Sequence, residues 1–150
     1  MKGAVAECNH VFIKGNNLNE RFENLGENSK FYIGEIGFGI GINFLTTCKS
    51  WLNHAKQNQV LEFYSFDKYL FRLSDFKKLN ASCPDLKEYI SEFELSYPRN
   101  IQGVQKISLF DGRIILNLII GEIDSTQEYI KLMDKVDAWY LDGFSPSKNP

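Results

Sequence analysis

Glu35-Ile36-Gly37-Phe38-Gly39-Ile40-Gly41-Ile42-Asn43 closes the apolar run Phe31-Tyr32-Ile33, and its residue types could do chemistry. Glycine at every second position lets the backbone turn sharply and leaves no Cβ between chain and ligand. An acid two residues before the first glycine can point a carboxylate into the crevice beyond a strand end. The pattern suits a cradle for a nucleoside cofactor. Its spacing is G-x-G-x-G, not the G-x-G-x-x-G of dinucleotide binders, so the ligand need not be a dinucleotide. A glycine-rich turn that holds nothing is the alternative reading.

Further acids fall at the ends of other apolar runs. Asp67 follows Val60–Phe66, Glu122 follows Arg113–Ile120, and Asp142 follows Val136–Leu141. In an open parallel sheet those strand ends face the ligand crevice, so Glu35, Asp67, Glu122 and Asp142 would converge there. Each singly would also serve as a helix cap or a solvated loop acid. Asp67 follows Gly41 at about the offset, roughly 20 residues, at which an acid meets ribose hydroxyls. A carboxylate accepts two such hydrogen bonds and repels a 2′-phosphate, which leaves NAD, FAD or S-adenosylmethionine as candidates. Glu122 is placed to accept from an adenine amino group.

Asp142-Gly143-Phe144-Ser145-Pro146-Ser147-Lys148-Asn149-Pro150 is a second unusual run. Its prolines fix an extended loop, and Gly143 permits a tight exit from the strand. The loop would carry an acid, an aromatic and a lysine to where a second substrate approaches. Phe38, Phe144 and Tyr140 are candidates for contact with a cationic or aromatic ligand, with core packing the favoured fate of Tyr140. Lys68, Lys77, Lys78 and Lys148 could meet phosphates, against the plainer reading of a solvated surface. His10 and His54 lie outside the motifs and receive no chemical role.

The elements that must position these residues follow from periodicity. Phe31–Ile36 and Val60–Phe66 read as buried strands, and Ile42–Leu52 carries a helical apolar stripe through Phe44, Leu45, Cys48 and Trp51. Leu70–Leu79 and Asp85–Leu95 read as helices, with Pro84 suited to a first turn. Val104–Phe110 and Arg113–Ile120 flank Asp111-Gly112, a strong hairpin signal. Asp124–Met133 reads as a helix and Val136–Leu141 as a strand. In residues 1–30, Val11-Phe12-Ile13, a Gly15-Asn16 turn and Leu18–Phe22 read as a β-hairpin or arm packing on the core, which spans residues 31–150. The alternation predicts an α/β, doubly wound, Rossmann-like parallel sheet.

Bulk properties narrow the function. The 150 residues make one domain or part of one, and 43% hydrophobic with 14% aromatic content supports a core. A net charge of -2 gives no global signal for a polyanion, so any contact with nucleic acid needs a local patch. Cys8, Cys48 and Cys83 form no C-x-x-C pair, which argues against a disulfide framework and a zinc site; no metal is expected. The longest apolar stretch, Ile114–Ile120, is broken by Asn117, and no basic-then-apolar leader opens the chain. These features predict a cytoplasmic protein with no membrane contact.

EIGFGIGINFL (Glu35–Leu45), SFDKY (Ser65–Tyr69), VDAWYLDGFSPSKNP (Val136–Pro150) and VFIKGNNLNERF (Val11–Phe22) together resemble a known family. It is the methyltransferase domain of MnmC, the bacterial bifunctional tRNA 5-methylaminomethyl-2-thiouridine biosynthesis protein. The resemblance runs from about Ala4 to the last residue, and the LDGF-S/A-P-x-KNP run is its most specific part. It implies a class I S-adenosylmethionine-dependent methyltransferase fold that stops after the fourth core strand, where seven strands are usual. The chain would then be the N-terminal piece of a longer protein, with Val136–Leu141 as an uncovered edge. The implied activity is methylation of the amine of 5-aminomethyl-(2-thio)uridine at the tRNA wobble position. A small-molecule or protein amine methyltransferase, or a non-catalytic cofactor-binding fragment, is the alternative.

Carried over by position, the resemblance gives Glu35, Gly37, Gly39 and Gly41 the methionine part of S-adenosyl-L-methionine, with Phe38 and Asn43 beside them. Asp67 with Lys68 would hold the ribose, Glu122 the adenine, and Asp142 would be the catalytic residue facing the acceptor amine. Phe144, Pro146 and Lys148 would meet the tRNA substrate. Two positions depart from the family, which more often has Glu where Asp67 stands and Asp where Glu122 stands. The implied partners are tRNA and, in bifunctional relatives, a C-terminal oxidase domain that carries FAD outside this chain.

Overall fold

Lys30–Ile36 (β1) and Val60–Asp67 (β2) are buried along most of their length, as the central strands of a parallel sheet must be. They pair in parallel, with Glu35 opposite Ser65 and Ile36 opposite Phe66. The computed structural model describes residues 2–97, 103–121, 131 and 134–141. Ile114–Ile120 (β4) pairs in parallel with β2, and Gly103–Leu109 (β3) runs antiparallel to β4. The short Ala138–Tyr140 (β5) lies parallel to β1 on its other side, giving the order β3-β4-β2-β1-β5 among the described residues. The doubly wound reading therefore holds, with one antiparallel edge.

Between β1 and β2 the chain forms the helix Ile42–His54, which buries Phe44, Leu45, Cys48 and Trp51 as its stripe requires. Trp51 Nε1–H donates to the Arg113 carbonyl at 3.1 Å, tying this helix to the β3–β4 turn. After β2 come the helix Leu73–Ser82, a 3₁₀ turn Pro84–Leu86 opened by proline, and the helix Lys87–Leu95. The Asp111-Gly112 hairpin forms as predicted, with Phe110, Asp111 and Gly112 at φ 53, 55 and 82. Asn117, the polar break in β4, donates through Nδ2 to Glu62 Oε2 at 2.8 Å, which satisfies both groups inside the sheet. The predicted helix Asp124–Met133 falls, apart from Lys131, outside the described residues.

The hairpin expected in the first thirty residues is instead helical. Lys2–Cys8 is an α-helix that continues into a π-helix, Asn9–Lys14, and Leu18–Glu23 is a further α-helix. For reference these are α1 (Lys2–Cys8) and α2 (Leu18–Glu23), and the Ile42–His54 helix is α3. The buried positions Cys8, Ile13, Leu18 and Phe22 explain the outcome. Their spacing of about four to five residues follows a helical or π-helical turn, not the period of two a strand needs. The turn itself forms: Asn17 is left-handed at φ 52, and a Cβ on Gly15 would fall on the Val11 carbonyl oxygen. Arg21 locks this arm to the sheet, donating to the Asp137 carbonyl at 2.9 Å and lying over the Phe31 ring at 4.9 Å.

The β1–β5 contact rests on a glycine. A Cβ at Gly34 would stand 2.5 Å from Trp139 Cζ3 and 2.7 Å from Cε3. Gly34→Ala should therefore destabilise the fold by about 1–3 kcal/mol through overpacking. Chemical denaturation followed by tryptophan emission measures it, and an unchanged midpoint would show that the ring yields freely.

Candidate functional site

Beyond Ile36 the chain reverses through three left-handed glycines, Gly37, Gly39 and Gly41, at φ 91, 59 and 85. Residues with a Cβ resist that conformation, so glycine is needed at each. Gly37 N–H donates to the Phe66 carbonyl at 2.8 Å, and Gly39 N–H donates to Asp67 Oδ2 at 2.9 Å. Leu45 N–H then bonds to the Gly41 carbonyl and opens α3. Two of the glycines have separate spatial reasons. A Cβ on Gly41 would come 3.0 Å from Phe38 Cζ, whereas one on Gly39 would meet nothing within 4 Å. Gly41 makes room for a ring; Gly39 borders open space.

Of the sequence-derived candidates, the structure brings Gly37, Gly39 and Asn43 to one cavity of about 330 Å³. Phe38 also borders it, but its ring is only 4% exposed and packs at 5.5 Å against Phe71 and 6.1 Å against Phe44. The expectation of a ligand-facing Phe38 ring gives way to a core role, because the turn rotates that side chain towards the helices. Tyr140 is likewise core, fully buried with its hydroxyl 2.8 Å from Thr47 Oγ1. Burial pushes its phenol well above the usual tyrosine range, the Thr47 hydrogen bond opposing in part, so it stays protonated.

Glu35 does not stand open in the crevice. It is fully buried, and Ser65 Oγ donates to its Oε1 at 2.7 Å from the paired position on β2. Asp67 is half-buried and tied into loops: beside Gly39 it accepts through Oδ1 from Lys68 N–H at 2.7 Å and Tyr69 N–H at 3.4 Å. Its carbonyl accepts from Gly121 N–H at 2.9 Å, so one residue joins three strand ends. Lys68 is exposed, its Nζ 5.6 Å above the Tyr69 ring. Glu122, Asp142, Phe144, Pro146 and Lys148 lie outside the described residues.

The wall facing the glycine turn was missed from the sequence. Glu7, Val11 and Phe12 of the arm line the cavity, with Leu141 at the end of β5. Phe12 stacks on Tyr140 at 4.5 Å and 21°, and Cys8 Sγ lies 4.0 Å from the Asn43 carbonyl oxygen. A helical reading of the arm would have found them, since Glu7 and Val11 share a face at a spacing of one turn. An open glycine, an amide, an apolar wall and one acid can admit a ligand with an apolar body and a cationic end, in a volume ordinary for such sites. Among the described residues no group of three or more His, Cys, Asp or Glu could hold a metal ion, and no helix is long and apolar enough to cross a membrane.

Comparison with known proteins agrees with this geometry. Residues 84–150 match a family model described as S-adenosyl-L-methionine-dependent methyltransferase. The chain is 40% identical over 146 residues, 97% of its length, to the tRNA 5-methylaminomethyl-2-thiouridine biosynthesis bifunctional protein MnmC of Hydrogenovibrio crunogenus. It is 40% identical over 96% of its length to the protein of the same name from Pseudomonas fluorescens, and 39% over 97% to that from Marinobacter nauticus. It spans 21% to 23% of the length of these curated relatives. MNMC2 from Aquifex aeolicus superposes over the whole chain and 43% of its own, with a TM-score of 0.66 at 22% identity, a likeness of fold. Over nearly its whole length the chain is thus similar to a part of the MnmC proteins, and its residues 84–150 match the S-adenosyl-L-methionine-dependent methyltransferase family.

Proposed function

We propose that this chain takes S-adenosyl-L-methionine at the glycine turn and methylates the amine of 5-aminomethyl-(2-thio)uridine at the tRNA wobble position, in the cytoplasm. The observation that carries the reading is the open space at Gly39, which a Cβ would enter without meeting protein. It opens onto a cavity of about 330 Å³, so the residues present fit the methionine end of the cofactor. The names of the relatives supply the acceptor, since they state 5-methylaminomethyl-2-thiouridine biosynthesis in tRNA.

Gly37, Gly39, Gly41 and Asn43 would hold the methionine part, with Glu35 fixing the end of β1 from inside the sheet. Asp67 would take the ribose, with Lys68 beside it, and Glu122 the adenine. When bound, the cofactor supplies a methyl group already activated on a sulfonium. What remains for the chain is alignment, which can contribute about 7–11 kcal/mol in favourable cases. Asp142 would orient the acceptor amine, and a general base there would add roughly 10²–10⁴-fold. An anion beside an amine favours its unreactive ammonium form, so we assign Asp142 to positioning. Phe144, Pro146 and Lys148 would meet the tRNA, and an FAD-carrying oxidase domain would be the neighbour in the parent protein.

Calorimetry should show binding of S-adenosylmethionine and S-adenosylhomocysteine. Gly39→Val should remove it, at a cost to stability of about 1–2 kcal/mol for the left-handed backbone; retained affinity would refute the placement of the ligand. Asp67→Ala should weaken both ligands at least tenfold, about 1.4 kcal/mol, by removing the ribose acceptor and freeing Gly39 N–H. The full-length parent should transfer label from S-adenosylmethionine to undermodified tRNA. Labelling of free amines while that tRNA is ignored would establish the small-molecule alternative.

A further inference from the structure

Gly37, Gly39 and Asn43 form one wall of the cavity, and helical residues more than twenty positions earlier form the other. Among the described residues lining it, Glu7 alone carries a charge. Glu7 is exposed on α1, and among the described residues no cation pairs with it. Its position is nonetheless fixed by its neighbours. Cys8 is buried against the Asn43 carbonyl, and Phe12 is stacked on the fully buried Tyr140. Tyr140 is in turn held by Thr47 on α3. Glu7 thus borders the cavity from a docked helix, across from the turn where the ligand backbone would lie.

We infer that Glu7 recognises the α-ammonium of the cofactor's methionine end, an assignment that rests on the cofactor reading above. An ammonium group carries three N–H donors and needs acceptors as well as negative charge. The glycine turn offers peptide groups, and Asn43 offers an amide suited to the ligand carboxylate. Glu7 supplies the one anionic acceptor on the opposite wall, so the two walls divide the zwitterion between them. A sulfonium, by contrast, has no hydrogen to donate and makes less of a carboxylate's directed lone pairs. Nothing in the glycine motif points to this residue; it enters the site because the arm is helical.

The test compares three ligands by calorimetry on the wild type and on Glu7→Gln, an isosteric change at an exposed helical position. S-adenosylmethionine and S-adenosylhomocysteine both carry the ammonium, whereas 5′-methylthioadenosine lacks the amino-acid end. Glu7→Gln should weaken the first two alike, by tenfold or more, and leave the third unchanged, with the thermal midpoint preserved. Loss confined to S-adenosylmethionine would transfer Glu7 to the sulfonium and overturn the assignment. Equal loss of all three, or no loss, would also overturn it. A wild type that binds none of the three would refute the cofactor reading itself, which is a distinct result.

Discussion

The register between β1 and β2 is the constraint on which the rest of the structure depends. Pairing Glu35 with Ser65 and Ile36 with Phe66 brings both strands to the same level at their C-terminal ends. Only then can Gly37 N–H reach the Phe66 carbonyl and Gly39 N–H reach the Asp67 carboxylate. A slip of one residue would turn Glu35 to the other face and separate its buried carboxylate from the Ser65 hydroxyl. Leaving a buried carboxyl group without its hydrogen bond costs more than the bond itself contributes, so the polar pair polices the register that the apolar residues only favour.

That register also changes what Asp67 can do. A carboxylate offers about four lone-pair sites, and in this structure three backbone N–H groups, from Gly39, Lys68 and Tyr69, occupy its two oxygens. The acid is therefore first a clamp between the glycine turn and the loop after β2. A glutamate at this position, which the resemblance noted above would favour, has one more methylene and would set the carboxylate further from its own loop. The shorter side chain gives a turn that is better organised before the ligand arrives and fewer acceptor sites for ribose once it does. The two effects oppose each other in affinity, because preorganisation lowers the cost of binding that lost contacts raise.

Much of the sheet was legible because strands buried on both faces, the α3 stripe and the Asp-Gly hairpin each have a period or a turn residue that admits one reading. The arm was not. Val11-Phe12-Ile13 has the β-branched and aromatic content of a strand, and propensity yields readily to tertiary packing. The decisive signal was the wider spacing of Cys8, Ile13, Leu18 and Phe22, all buried against the sheet and α3. The destination of Phe38 was hidden for a different reason. Alternation along a strand fixes side-chain direction, but a turn built from left-handed glycines resets it, so the ring enters the aromatic cluster of Phe44, Phe71 and Phe93. Glycine spacing announces that a turn exists; it does not say which way its non-glycine residues face.

The helical arm gives the cavity a property that a glycine turn by itself lacks. The two walls come from residues 7–12 and 37–43, so the cavity exists only while the arm is docked. Its docking rests on the Phe12–Tyr140 stack, the Tyr140–Thr47 hydrogen bond and the reach of Arg21 to the Asp137 carbonyl. Apparent affinity falls in proportion to the fraction of molecules in the competent state. A change that undocked the arm in nine molecules of ten would thus weaken a two-walled ligand about tenfold without touching it. By the same linkage, a ligand that bridges both walls must stabilise the arm. Tyr140 is the hinge of that coupling: its ring carries the arm, its hydroxyl carries α3, and its backbone pairs with Glu35 at the end of β1.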